Sequence, residues 1–120
     1  MAMTIVEARS GVTGGVDTHL DVHVAAALDH VGGLLGTKSF GVNPSGYRAL
    51  LSWLDSFGEV TKIGVEGTGS YGAGLARFLT RRGIDVIEVN RPDRGAQYRF
   101  GKSDPLDAIE AARAALGGQA

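Results

Sequence analysis

Three short segments with the composition of β-strands follow one another near the start of the chain, before any helical period begins. They span Val12–His19, Asp21–Asp29 and Gly32–Val42. The connections between them are too short for the crossover that a parallel pair of strands needs, so neighbouring segments should pair as antiparallel hairpins. A chain that opens in this way is restricted to folds whose sheet contains a three-stranded antiparallel meander.

The rest of the chain alternates between helical and strand periods. Its predicted segments are a helix over Asn43–Gly58, a strand over Thr61–Gly67, a helix over Ser70–Gly83, a strand over Ile84–Asn90, a basic loop over 91–103 and a helix over 104–118. Asn43 and Pro44 suit the cap and the first position of the first helix. Apolar spacing predicts that the buried face of the second helix is formed by Tyr71, Leu75, Phe78 and Leu79.

The fourth and fifth strands flank a helix, so we expect them to be parallel, with a right-handed crossover. Joined to the meander, they predict an α/β protein with a five-stranded mixed sheet and flanking helices, in the order βββαβαβα. This is the order of the ribonuclease H-like fold, an analogy of fold that does not by itself assign a function. Residues 1–11 are expected to form a flexible N-terminal tail.

The fourth strand leads into the glycine spacing of a dinucleotide-binding fingerprint. Gly67, Gly69 and Gly72 follow an apolar strand and precede a helix, as they would in such a Rossmann-like domain. Against this alternative, the meander comes first, only one βαβ unit is present, and the Glu66 carboxylate would repel a phosphate. The favoured interpretation is a tight strand-to-helix turn that leaves Glu66 exposed at the end of its strand.

Four acidic residues stand at the ends of predicted elements. Asp17 lies late in the first strand, Glu66 ends the fourth strand, and Asp104 and Asp107 open the last helix. Residues three apart on a helix share a face, so Asp104 and Asp107 lie on one side, together with an alanine strip. Capping by Asp104 before Pro105 is the alternative explanation of that pair. The opposite side of the helix, left for another helix or a partner, carries Leu106, Ile109 and Leu116.

Together, these carboxylates suit a hard divalent cation. Mg²⁺ prefers oxygen ligands, and two such ions about 4 Å apart can activate a nucleophile and stabilise the leaving oxygen in phosphodiester cleavage. Acids from the first strand, the fourth strand and the last helix can meet only if the fold brings those ends together. A ribonuclease H-like arrangement would do so, and the pattern therefore predicts a carboxylate metal site.

Three ordered blocks of the sequence are similar to one known family. The blocks GVDTHLDVHVAAALD, GVEGTGSYGAGLARFLTRRGIDVIEVNRPDR and GKSDPLDAIEAARA resemble the N-terminal domain of the DEDD-type insertion-sequence transposases, the group that includes the pilin-gene invertases and the bridge-RNA-guided recombinases. The resemblance covers residues 12–117 and implies a RuvC-like catalytic domain. It also implies four acids that bind Mg²⁺, with Mn²⁺ as a substitute, and that carry catalysis: Asp17, Glu66, Asp104 and Asp107.

The same resemblance implies partners and a further domain. The expected partner is DNA, acted on in transposition or site-specific recombination, with a structured guide RNA in some members. Full-length members are expected to be homo-oligomers, dimers or larger, in which a C-terminal domain supplies a serine nucleophile. That serine domain is not expected within this chain, so full strand exchange by this chain alone is not expected. Leu20 departs from the family, whose members often have lysine there.

The segment before the last helix is rich in basic residues. From Arg77 to Lys102 the chain carries seven basic and three acidic side chains, although the net charge of the whole chain is −1. Given the resemblance, four residues are predicted to bind nucleic-acid phosphates: Arg91, Arg94, Arg99 and Lys102. A solvated helix face followed by a loop is the alternative interpretation.

Composition limits the other classes of protein to which the chain could belong. The chain has no cysteine, which excludes a disulfide framework and a thiolate metal site. The start lacks the pattern of a signal peptide and no apolar run is long enough to span a membrane, so we expect a cytoplasmic protein that associates with the nucleoid when it acts on DNA.

Two further alternatives concern function. His19 shares the strand face of Asp17 and could assist the site, or His19 and His23 are ordinary strand or surface histidines. The rival function from another class is a non-catalytic nucleic-acid-binding or assembly module, in which the acids are present but no chemistry occurs.

Overall fold

A computed structural model describes residues 11–90 and 105–118 of the chain. Its elements are β1 (Gly11–Thr18), β2 (Val22–Leu28), β3 (Leu34–Gly41), α1 (Pro44–Asp55), β4 (Glu59–Glu66), α2 (Ala73–Arg81), β5 (Asp85–Val89) and α3 (Pro105–Gly117). The predicted α/β class is confirmed. Apart from Gly11, which begins β1, the predicted tail lies outside the described residues, as does the basic loop. Among the described helices, none is long and apolar enough to cross a membrane.

The sheet is mixed, as predicted. Its five strands lie in the order β3-β2-β1-β4-β5. The pairs β1/β2 and β2/β3 are antiparallel, whereas β1/β4 and β4/β5 are parallel. β1 therefore lies at the centre of the sheet, and it runs in the same direction as β4. The carboxyl ends of β1 and β4 meet at one edge of the sheet, which we call the carboxyl edge.

The helices α1 and α2 cover one face of the sheet. The first begins where the sequence predicts, since Asn43 Oδ1 accepts a hydrogen bond of 2.7 Å from the Gly46 amide. A Cβ atom added at Gly14 of β1 would lie 2.9 Å from Leu54 Cδ1 of α1, which shows that Gly14 faces this layer. The main hydrophobic core lies here, and its buried helical residues are Leu50, Leu54, Leu75 and Leu79.

The helix α3 covers the opposite face and packs closely on two strands. At Gly15 of β1, a Cβ atom would overlap the backbone of Ala108 and Ala112. At Gly64 of β4, a Cβ atom would lie 2.6 Å from the Ala111 carbonyl oxygen. Glycine in the strands and alanine in the helix therefore allow the two backbones to approach each other closely.

Two predictions about helix faces are wrong, each for a packing reason. Tyr71 is 52% exposed and does not contribute to the buried face of α2, because that helix begins only at Ala73 and Tyr71 belongs to the preceding turn. Ile109, predicted to lie on the outer side of α3, is buried with Val24 and Ala26 of β2. The reason is that α3 lies across β2 as well as β1, so its buried arc is wider than the alanine strip.

A buried histidine lies on the α1 side of β2. The His23 ring is fully buried and stacks on Tyr47 of α1, with ring centroids 6.2 Å apart and an angle of 9° between the planes. Burial lowers the pKa of His23 below its ordinary value, because the charged ring would lose its hydration. The proximity of His19 acts in the same direction, whereas the Val22 backbone and Asp17 raise the pKa and offset only part of the effect.

This buried ring predicts a loss of stability in acid. Because His23 takes up a proton less readily in the folded chain, the free energy of unfolding should decrease as the pH falls below about 6.5, by at most about 1.4 kcal/mol per pH unit for one proton. In urea unfolding between neutral and mildly acidic pH, His23→Phe should flatten this dependence, while the exposed His30 replaced by glutamine should not. If the free energy of unfolding depended on pH equally in the wild type and in His23→Phe, the lowered pKa of His23 would be contradicted.

Candidate functional site

Two of the predicted acids lie at the ends of adjacent parallel strands. Val16 of β1 is in register with Val65 of β4, so the next residues, Asp17 and Glu66, stand side by side at the carboxyl edge. Both residues are fully buried. Buried carboxylates are rare unless they are paired or bind a cation, because burial removes their hydration. This pair is therefore the first feature of the fold that points to a chemical site.

The side chains of Asp17 and Glu66 lie on the face that α3 covers. Gly15 and Gly64, each two residues earlier, contact the backbone of α3, and residues two apart on a strand share a face. Both strands thus carry the same order of glycine, valine and acid. The role of these two glycines was not predicted from the sequence, although the repeated order was a signal that could have identified it.

The third predicted acid, Asp107, lies at the same edge. The turn between β2 and β3 is at the far edge of the sheet, and there Gly32 lies close to Leu116 near the end of α3. α3 therefore runs antiparallel to β1 and β4, and its first turn lies over the carboxyl edge. Asp107 belongs to that turn and is 3% exposed. The fold thus brings Asp17, Glu66 and Asp107 to one edge and one face of the sheet.

The turn after β4 holds Glu66 in place through backbone contacts. Thr18 Oγ1 donates a hydrogen bond of 2.8 Å to the Glu66 carbonyl oxygen, which ties the ends of β1 and β4 together. Gly67 has a φ of +68°, and a Cβ atom at Gly72 would lie 2.8 Å from the same carbonyl oxygen. These two glycines are therefore required by the turn itself, whereas nothing lies within 4 Å of a Cβ atom added at Gly69.

The predicted exposure of Glu66 is wrong. The turn does deliver this residue to the strand end, as predicted, but the side chain is fully buried rather than exposed. The reason is that α3 covers this face of the sheet, a contact between residues distant in sequence. Two of the three glycines in the spacing that resembles a dinucleotide fingerprint, Gly67 and Gly72, are accounted for by turn geometry and by packing against the Glu66 backbone.

His19 interacts directly with the first acid. Its Nε2 atom lies 2.9 Å from Asp17 Oδ2, and the His19 side chain is 20% exposed. The contact orients the Asp17 carboxylate. Of the two alternatives for His19, this contact favours the one in which His19 assists the site.

The chemistry of these side chains fits a hard divalent cation. Carboxylate oxygens are the ligands that Mg²⁺ prefers, and burial under α3 would reduce competition from water. Within residues 11–90 and 105–118, however, no group of three or more histidine, aspartate or glutamate side chains lies close enough to hold an ion. The described acids therefore share an edge without forming a complete set of ligands.

Several predicted site residues lie outside the described part of the chain. They are the fourth acid, Asp104, and the four residues predicted to bind nucleic acid, Arg91, Arg94, Arg99 and Lys102. Asp104 directly precedes Pro105, the first residue of α3, and it is three residues before Asp107. Its assignment to the site stays a prediction, as do the four basic contacts.

Solved structures resemble this chain in fold. A ROK family glucokinase from Streptomyces griseus, in complex with glucose and AMPPNP, is 19% identical over 78% of this chain and 38% of its own length, with a TM-score of 0.50. The ethanolamine utilization protein EutJ from Carboxydothermus hydrogenoformans is 18% identical over 78% of this chain and 41% of its own, with a TM-score of 0.46. The chain spans about two fifths of the length of these proteins, and the likeness to the glucokinase concerns the fold alone.

The sequence comparison identifies the family. No curated protein is significantly similar to the chain. Residues 14–120, which include all four predicted acids, match the transposase family of the IS110-type DEDD transposases. The match covers almost the whole chain, and the five-stranded mixed sheet with flanking helices is consistent with the ribonuclease H-like fold of these enzymes. The chain belongs to the IS110-type DEDD transposase family.

Proposed function

We propose that the chain is the metal-dependent catalytic domain of a DNA transposase, with Asp17, Glu66, Asp104 and Asp107 as catalytic metal ligands. The observation that carries this proposal is the convergence of three buried carboxylates, from β1, β4 and α3, at one edge and one face of the sheet. Carboxylate oxygens from three elements at one edge are the ligand type that a hard divalent cation prefers. The family supports DNA as the substrate.

The residues around the carboxylates have separable roles in this proposal. α3 covers the site and limits the access of water, while Gly15 and Gly64 allow it to come close. Thr18 fixes the end of β4, and His19 orients the Asp17 carboxylate. One or two bound Mg²⁺ ions, or Mn²⁺ in their place, would supply Lewis-acid stabilisation of a scissile phosphate. Since the described acids do not complete a ligand set, we infer that Asp104 or the DNA phosphate completes it.

Strand exchange would need more than this domain. We propose that a serine nucleophile from a C-terminal domain joins the four acids within a homo-oligomer, as the resemblance implies. Arg91, Arg94, Arg99 and Lys102 would bind DNA phosphates beside the acids, and a structured guide RNA would be an additional partner. The protein would then act at the nucleoid.

A non-catalytic nucleic-acid-binding or assembly module is the second candidate. It is favoured by one observation, namely that no three described ligand-type side chains lie close enough to hold an ion. The two candidates differ in a simple respect. A catalytic domain must bind a divalent cation through its acids, and a non-catalytic module need not.

Metal binding should therefore stabilise the folded chain. A ligand present at about a hundredfold above its dissociation constant adds about 2.7 kcal/mol to the free energy of unfolding, so Mn²⁺ or Mg²⁺ should raise the Tm by several degrees. Asp107→Asn should remove most of that shift and weaken Mn²⁺ binding measured by electron paramagnetic resonance. Glu110→Gln, an exposed acid on the same helix, is the control and should keep the full shift.

The metal titration also decides between the two candidates. An equal rise in Tm for Asp107→Asn and Glu110→Gln would mean that the cation binds elsewhere on the surface. No rise in any variant, together with no Mn²⁺ binding to the wild-type chain, would favour the non-catalytic module.

A further inference from the structure

A second charged surface lies between α1 and α2. These helices border an open groove with a cavity volume of about 520 Å³, which we call the arginine groove. Tyr47, Phe78 and Gly74 contribute to its lining, and a Cβ atom at Gly74 would lie 2.6 Å from the Tyr47 hydroxyl oxygen, which shows how closely the helices approach. Four exposed arginines border it: Arg48, Arg77, Arg81 and Arg82.

The arginine groove and the carboxylates lie on opposite sides of the sheet. α1 and α2 cover the face marked by Gly14, whereas α3 covers the face marked by Gly15 and bearing Asp17. A ligand in the groove would thus contact the domain away from the proposed metal site. The groove is also separate from the predicted contacts at Arg91, Arg94, Arg99 and Lys102, because its lining belongs entirely to α1, α2 and the residue that follows α2.

Fold stability does not explain all of these positive charges. Arg81 and Arg82 stand at the end of α2, where the helix dipole favours cations. Arg77 lies in the middle of α2, one turn before Arg81, and like charges four residues apart destabilise a helix. Arg48 is the fifth residue of α1, far from the last turn, where the helix dipole would favour a cation. Among the described residues, no acidic side chain forms an ion pair with any of the four.

The aromatic rings in the groove already have partners. Tyr47 packs against Phe78, with ring centroids 5.9 Å apart, and its other neighbour is the buried His23. The Arg82 guanidinium carbon lies 4.4 Å from the centroid of the Phe78 ring. Because these rings are engaged within the protein, they are poorly placed to stack on bases. The groove is therefore suited to a polyanionic backbone and not to base recognition.

The surface continues beyond the groove along α2. A neighbouring hollow of about 330 Å³ shares Arg77 and Arg81 with the groove and is otherwise lined by Thr68, Ala73, Ala76 and Thr80. The two hollows together present a cationic strip with hydroxyl groups and no acidic lining residue among the described side chains. Arginine guanidinium and threonine hydroxyl groups are donors that bind phosphate oxygens.

We infer that the arginine groove binds the phosphate backbone of duplex DNA, independently of sequence, on the side of the sheet opposite to the carboxylates. DNA is the chosen occupant because the chain belongs to a transposase family, and the inference rests on the proposed function to that extent. In this arrangement the groove contacts a part of the DNA other than the part that is cleaved at the carboxylates. It contributes affinity and dependence on salt, while sequence preference arises elsewhere.

The test compares two variants that each remove two positive charges. Arg48→Gln/Arg77→Gln removes one arginine from each wall of the groove, and Lys38→Gln/Arg113→Gln removes two exposed cations outside it. Binding to a labelled duplex DNA of arbitrary sequence is measured by fluorescence anisotropy with EDTA present, over about 0.05 to 0.2 M salt. Thermal unfolding of each variant verifies that the fold is retained.

The expected result is specific to the groove. The groove variant should bind with a salt dependence that is less steep: the slope of the logarithm of the binding constant against the logarithm of the salt concentration should shrink by about 2, close to 0.9 for each lost phosphate contact. At about 0.1 M salt its binding should be weaker on the order of tenfold. The control variant should retain the wild-type slope. Equal losses in both variants, wild-type binding by the groove variant, or no binding by the wild-type chain would each overturn the inference.

Two further arms separate this inference from the alternatives. Groove-dependent binding of an RNA hairpin in preference to duplex DNA would overturn the choice of DNA. The second arm measures metal-dependent cleavage, which in the proposed function depends on Asp17 on the other face of the sheet. If the groove variant binds normally while Asp17→Asn still abolishes metal-dependent cleavage, the inference fails and the proposed catalytic function stands.

Discussion

Replacing Asp17 with asparagine is expected to reduce metal-dependent DNA cleavage by roughly 10³-fold or more, since a bound metal ion contributes several kcal/mol of transition-state stabilisation. Asparagine preserves the shape of the side chain and still accepts the hydrogen bond from His19, but it removes the anionic ligand. The folded domain should retain its stability, because the substitution removes one negative charge from a group of buried acids and so reduces the repulsion among them. The measurement is nicking of supercoiled plasmid DNA in Mg²⁺ or Mn²⁺.

The same assay contains its own control. Asp21→Asn removes an exposed acid four residues further along the chain, and it should cleave at the wild-type rate. Where the isolated chain gives no product, the comparison is made with a serine-bearing C-terminal domain of the family joined to it. An active wild type whose Asp17→Asn variant stays within about tenfold would show that Asp17 is not a metal ligand.

Gly15→Ala is expected to destabilise the domain by about 3 kcal/mol or more, a large fraction of the stability of a small domain. The added methyl group would occupy the position of the Ala108 and Ala112 backbone, which cannot yield as a flexible side chain would. The helix α3 would have to move away from β1, and Asp107 would then leave the carboxyl edge. Urea unfolding should show the loss, and metal binding should weaken with it.

Gly69→Ala is the matched control for this substitution. A Cβ atom at Gly69 has nothing within 4 Å, so the same chemical change there should be neutral, or slightly stabilising through reduced freedom of the unfolded chain. If Gly15→Ala unfolded at the same urea concentration as Gly69→Ala, the close packing of α3 on β1 would be wrong. The conclusion that α3 brings Asp107 to the carboxyl edge would then fail as well.

Much of the fold follows from local rules that the sequence displays. Short connections require the antiparallel meander, and the helix between β4 and β5 requires their parallel pairing, as the structure confirms. Asn43 caps α1 as predicted, because the capping hydrogen bond involves residues only three apart. Tyr71 shows the limit of periodicity, since a helical pattern extended two residues too far assigned it to the buried face.

The sequence identified three acids that the fold places at the carboxyl edge, but it did not predict their surroundings. Asp17, Glu66 and Asp107 were identified from their places at the ends of elements and from the family resemblance. The burial of Glu66, the contact of His19 with Asp17 and the hydrogen bond from Thr18 to the Glu66 carbonyl depend on neighbours in other elements. The sequence shows the repeated glycine-valine-acid order, but not that a helix lies against it.

By itself, the sequence determined the class of the fold, the residues of the carboxyl edge and the family, because periodicity, turn chemistry and motif order are local properties. Only the tertiary structure decided which face of the sheet α3 covers and how closely, because that depends on contacts between Gly15, Gly64 and the alanines of a helix far along the chain. It likewise decided that the arginines of α1 and α2 border one groove on the opposite side from the acids. Residues distant in sequence become neighbours only when the layers pack on the sheet.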